Sequence, residues 1–96
     1  MPVHVAFTPL GLPTADVAGR TVVVIDILRA TTTMTAALHH GARAVIVAAE
    51  TDEAITLAQS LDRTDVLLAG ERHCVRIPRL QLGNSPGEML PENCLF

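Results

Sequence analysis

Residues 21–33, TVVVIDILRATTT, decide how the chain reads. Thr21–Ile25 is a continuous apolar run, the pattern of a strand covered on both faces. Asp26 stands where that strand should end. Arg29 follows three residues later, and Thr31, Thr32 and Thr33 open the next segment. A carboxylate at a strand end can bind a divalent cation, act as a base or act as a nucleophile. It can also simply cap the turn. A guanidinium at a helix mouth suits a phosphate or carboxylate, which it can grip bidentately. A plain salt bridge to Asp26 is the other reading of Arg29. The threonines offer hydroxyls and N–H groups at the same end, one of them as an N-cap. The glycines and lysine of a Walker loop are absent, and Ile27-Leu28 after the acid exclude a DxD motif.

Working outward, apolar and turn-forming stretches alternate. Pro2–Phe7 and Ala44–Ala49 read as strands, with a Pro- and Gly-bearing loop over Thr8–Gly19. Thr31–His40 reads as a helix with Met34, Ala37 and Leu38 on its inner face and Gly41 as its stop. Thr51 reads as the N-cap of a second helix, with Asp52 and Glu53 in its first turn and Ala54, Leu57, Ala58 and Leu61 on one face. Asp65–Ala69 is a further strand. The order β-α-β-α-β predicts an α/β fold with a mainly parallel sheet, helices on its faces and right-handed crossovers.

In such sheets ligands collect at the carboxyl ends of the strands. Three of those ends carry charge: Asp26 with Arg29, Glu50, and Glu71 with Arg72. Past Gly70 the chain turns polar. Val75 and Ile77 suggest an edge strand stopped by Pro78. In Asn84-Ser85-Pro86, Ser85 suits a helix cap, Pro86 the first helical position and Glu88 the first turn. Asn84 and Ser85 are also candidate hydrogen-bond partners for a substrate. His73 and Cys74, adjacent in a strand, would face opposite ways and make no dyad. His39-His40 suits the negative end of the helix dipole better than a metal.

Composition excludes several functions. The chain has 96 residues, 49% of them apolar, enough for one small folded domain over residues 1–96 with a thin core. Phe7 and Phe96 are its only aromatics, so stacking platforms for bases are missing. A net charge of -3, with seven dispersed arginines and no lysine, gives no basic stripe for nucleic acid or an anionic membrane. Cys74 and Cys94 have no metal-ligand spacing, and no apolar run reaches the ~18 residues of a membrane span. A reduced, cytoplasmic setting is expected.

The motifs together, VVVIDILRATTTMTAALHHGA, VIVAAETDEAITLA and LLAGERHCVRIPRLQLGNSPGE, resemble the 2-phosphosulfolactate phosphatase family. The resemblance rests on a D-x-L-R-A-(S/T)-(S/T) segment, a G-E-R segment and an L-G-N-S-P segment in that order. It implies a magnesium-dependent hydrolase of coenzyme M biosynthesis that removes phosphate from 2-phospho-3-sulfolactate. The matching positions are Asp26, Arg29, Ala30, Thr31 and Thr32, then Gly70, Glu71 and Arg72, then Gly83, Asn84, Ser85 and Pro86. On this resemblance Asp26, Arg29 and Glu71 are the catalytic candidates, and Asp26 and Glu71 the Mg2+ ligands. Arg29, Thr31, Thr32, Arg72, Asn84 and Ser85 would bind the small anionic substrate. The family also implies a longer molecule, this chain corresponding to its N-terminal half and a second α/β half following. An exposed sheet would then leave self-association into a homo-oligomer open. The alternative is a non-catalytic phosphate- or anion-binding module of the same fold.

Overall fold

A computed structural model describes residues 1–62 and 64–94, so Arg63 and Phe96 lie outside the described residues. Four α-helices, a hairpin and one 3₁₀ turn alternate along it: α1 (Thr14–Val17), α2 (Ala30–His39), α3 (Thr51–Ser60), β1 (Glu71–Arg72), β2 (Val75–Arg76), the 3₁₀ turn Pro86–Glu88 and α4 (Pro91–Cys94). No helix among the described residues is long and apolar enough to cross a membrane.

Helix α2 spans Ala30–His39, one residue earlier at each end than the expected Thr31–His40, and stops before Gly41 as its sequence suggests. Gly41 takes φ 112°, a conformation that costs a side-chain-bearing residue more than glycine. Its N–H donates to Leu38 O (3.2 Å) and that of Ala42 to Ala37 O (3.0 Å). These are the two bonds of a Schellman stop. The buried face differs from the expected one: Thr33 and Ala37 are buried, while Leu38 is 50% exposed. The reason is steric. Small residues let α2 approach the 3₁₀ turn and Met89 closely, and Leu38 lies off that contact.

Helix α3 carries Asp52 and Glu53 in its first turn, as expected, but its N-cap is Glu50 rather than Thr51. Glu53 reaches back to accept the N–H of Ala49 (3.0 Å), satisfying a main-chain donor just outside the helix. Ala54, Leu57 and Ala58 are half-buried and no α3 residue is fully buried. An Arg43–Asp65 ion pair (2.6 Å) closes the base of the excursion that carries this helix.

The content is mixed helix and strand, in keeping with the α/β class. The sheet is smaller than the alternation predicts. The one ladder among the described residues is antiparallel, Glu71 opposite Arg76 and Arg72 opposite Val75. It turns through His73 and Cys74, both at positive φ (51° and 63°), as a two-residue hairpin with right-handed strand twist requires. Among the described residues parallel pairing occurs at a single bridge, Ala69 to Leu82. Gly70 N–H to Leu82 O (3.1 Å) and Gln81 N–H to Leu68 O (3.0 Å) reinforce it.

The runs expected as the other strands, 2–7, 21–25 and 44–49, form no ladder among the described residues. Val24 is 79% exposed and Ile46 60%. A parallel strand is stable when both of its faces are covered, and α2 and α3 do not cover these. The buried cluster is Ala37, Met89 and Cys94, with Ala36, Ala42 and Leu82 packed against it. Both cysteines are free, Cys74 exposed and Cys94 buried. The radius of gyration, 15.3 Å, exceeds the ~13 Å of a compact chain of about 100 residues. Met89 is the largest side chain in the cluster, so Met89→Ala should destabilise the chain by about 2 kcal/mol, read as a lower urea midpoint.

Candidate functional site

The segments carrying Arg29, Glu71 and Asn84 meet at the mouth of α2. Arg29 occupies the N-cap position of that helix and makes no side-chain cap. Its Nη2 instead donates to both carboxylate oxygens of Glu71, at 2.5 Å each. The Arg29 side chain is 38% exposed and that of Glu71 15%. Asn84 N–H points at Glu71 Oε2 (3.4 Å). Thr33 closes the arrangement: its hydroxyl lies 3.0 Å from Arg29 O and 3.0 Å from Asn84 O, one proton serving two carbonyls. Thr33 is the buried polar residue of α2.

The remaining candidates sit around this knot. The Asp26 carbonyl accepts the N–H of Thr31 (2.9 Å), and the Asp26 residue is exposed. Thr32 donates its hydroxyl to Ile27 O (2.6 Å). Thr31 and Thr32 line a surface groove with Ile27, Thr35, His39 and His40. Ser85 is the N-cap residue of the 3₁₀ turn, but its hydroxyl makes no capping bond.

Arg72 does not join Arg29. It pairs with Glu50 (3.1 Å), both side chains being exposed. Adjacent residues of a strand face opposite ways, so Glu71 and Arg72 are sent to different partners. Among the described residues no three His, Cys, Asp or Glu side chains gather as a metal-binding group.

The chain matches the family model described as 2-phosphosulpholactate phosphatase over residues 6–95. It is 49% identical over 77 residues to a protein of Caldanaerobacter subterraneus subsp. tengcongensis named probable 2-phosphosulfolactate phosphatase, covering 80% of this chain and 32% of the relative. A protein of Picosynechococcus with the same name is 44% identical over 92 residues, covering 96% of this chain and 38% of its own length. One from Symbiobacterium thermophilum is 45% identical over 76 residues, covering 79% and 33%. The chain belongs to the 2-phosphosulfolactate phosphatase family. It spans about a third of the length of these relatives.

In this family member three site-forming residues escape a reading of the sequence. Thr33 is hidden in a run of three threonines, where any of them could be a cap. Glu88 accepts the N–H of Gly83 (3.1 Å), although its place after Ser85-Pro86 suggests only a dipole-matching acid. His40 Nδ1 pairs with Met89 O and so ties the far end of α2 to the segment after the 3₁₀ turn. Nothing local marks that contact.

The hydrogen bond from Arg29 holds the Glu71 carboxyl below the usual glutamate range, partial burial opposes this, and the Asn84 N–H assists it. The same hydrogen bond raises Arg29. Because the folded value of Glu71 is depressed, its contribution to stability is complete above the ordinary glutamate range. It is lost as pH falls through the depressed value. Urea unfolding between neutral and acidic pH should therefore show a steeper loss for the native chain than for Glu71→Gln. Superimposable pH profiles would refute the assignment.

Proposed function

We propose that the chain supplies the phosphate-binding part of a magnesium-dependent phosphomonoesterase acting on 2-phospho-3-sulfolactate. One observation carries the reading. Three segments far apart in sequence, those of Arg29, Glu71 and Asn84, meet around the Arg29–Glu71 pair at a helix N-terminus. A helix mouth with an arginine beside it is suited to an anion, and the relatives' names supply the substrate class.

In this reading Glu71 keeps Arg29 extended across the helix mouth until substrate arrives. The planar fork then passes from carboxylate to phosphate oxygens. Thr31 and Thr32 add hydroxyls at the same end, and Asn84 and Ser85 hydrogen-bond the substrate from the facing loop. Arg72, held by an exposed and therefore weak pair with Glu50, serves the sulfonate or carboxylate end. Water forms the new P–O bond as the ester P–O bond breaks, leaving sulfolactate and inorganic phosphate.

Mg2+ is commonly bound through one or two carboxylates plus water and substrate phosphate, without an all-protein cage. Asp26 and Glu71 are hard oxygen donors of that kind. Asp26 is exposed, whereas Glu71 is engaged by Arg29 until the exchange. They are the residues that would hold the ion, which when bound neutralises charge on the phosphoryl group. The exposed runs 2–7, 21–25 and 44–49 are, in the same reading, strands of the family's parallel sheet. They are paired once their faces are covered, by the remainder of a longer protein or by a second copy in a cytoplasmic homo-oligomer.

Phosphate release from 2-phosphosulfolactate, measured with Mg2+ and with chelator, tests this reading. Arg29→Lys keeps the charge but loses the fork, and should lower kcat/KM by about 10²-fold, the scale of one lost transition-state donor. Asp26→Asn should lose its response to Mg2+. Full activity in Asp26→Asn removes Asp26 from the site. Tight binding of inorganic phosphate with no turnover favours the anion-binding module instead.

A further inference from the structure

Glu88 lies beside the Arg29–Glu71 pair, and the reading above leaves it without a task. Its Oε1 accepts the N–H of buried Gly83 (3.1 Å). A Cβ at Gly83 would stand 2.6 Å from Glu88 Oε2 and 3.5 Å from Glu71 Oε2. Both carboxylates therefore crowd a backbone position that has no side chain. The next residue, Asn84, gives its N–H to Glu71 (3.4 Å) and its carbonyl to Thr33. Glu88 is anchored in turn: its N–H donates to Ser85 O (3.0 Å), and its carbonyl accepts Asn93 Nδ2 (2.9 Å).

We propose that Glu88 is a positioning residue, whose carboxylate tethers the Gly83–Asn84 backbone against Glu71 and thereby fixes where the Arg29 guanidinium points. Like charges so close repel, and that repulsion is reduced when each carboxylate has its own cationic or N–H partner. Arg29 answers the Glu71 carboxylate and the Gly83 N–H answers that of Glu88, and a side chain at position 83 has no room beside them, so the glycine is a requirement of space. The need falls on the acceptor oxygen at that reach rather than on the charge. A shift of the order of 1 Å at a catalytic group can cost large factors in rate, so the tether matters although Glu88 touches no substrate.

The test uses Glu88→Gln, Glu88→Ala and Glu88→Asp in the full chain, with two readouts. The first is the NMR signal of the Arg29 Nε–H and of the Asn84 amide. The second is kcat and KM for 2-phosphosulfolactate, an arm that rests on the phosphatase reading. Glutamine keeps the reach and an acceptor oxygen, so both signals should stay at their native positions with kcat/KM near the native value. Alanine removes the acceptor and aspartate withdraws it by one methylene while keeping the charge. Both should move the two signals and lower kcat by about tenfold, with KM less affected. Aspartate carries the test if the alanine variant does not fold. An Arg29 signal unmoved in both alanine and aspartate overturns the proposal. So does glutamine as impaired as alanine, because charge would then be what counts. A native chain without turnover defeats the phosphatase reading alone, and the NMR signals still decide the tether.

Discussion

The Arg29–Glu71 contact is the constraint on which the arrangement of the chain depends. Half-exposed ion pairs contribute little net stability, and this one matters for geometry. It joins the start of α2 to β1 across 42 positions of sequence. Asn84 and Thr33 then close a triangle among three segments that share no regular sheet. Every edge of the triangle is a polar contact with a defined direction. A chain with so small a buried cluster cannot hold three segments in register by packing alone.

The sequence shows which residues matter more clearly than how they pair. Asp26 with Arg29 and Glu71 with Arg72 look like two acid–arginine couples because they are neighbours along the chain. The structure exchanges the partners: Arg29 takes Glu71 and Arg72 takes Glu50. Strand alternation forces the second separation, since Glu71 and Arg72 leave β1 on opposite sides. Helix ends were legible for a related reason. The stop at Gly41 and the acidic first turn of α3 are local events, written within a few residues. Thr33, Glu88 and His40 act over roughly fifty positions or across a turn, and no periodicity announces such contacts. The hairpin at His73–Cys74 was hidden because neither residue is the glycine or asparagine that usually marks positive φ.

Hydrophobicity misleads here in an instructive way. The longest aliphatic runs are exposed, and the buried cluster is made of Ala37, Met89 and Cys94. A run that is apolar on both faces gains fully from burial only when something lies against each of them. Small and adaptable side chains need less, because they let backbones approach. Contiguous exposed apolar patches commonly mark surfaces against which another protein element packs.

The Arg43–Asp65 pair has a consequence for how such a chain can change over generations. It pinches the excursion bearing α3 at its base, and none of the three triangle segments lies inside that excursion. Residues added inside the excursion, just after α3, would leave the pinch and the triangle where they are. The entropic penalty for a longer closed segment grows slowly, by about 0.6 kcal/mol for each doubling. Length variation, insertion of a foreign peptide or a reporter tag should therefore be accommodated around residues 60–62, while the stretch from Gly83 to Met89 has no such slack.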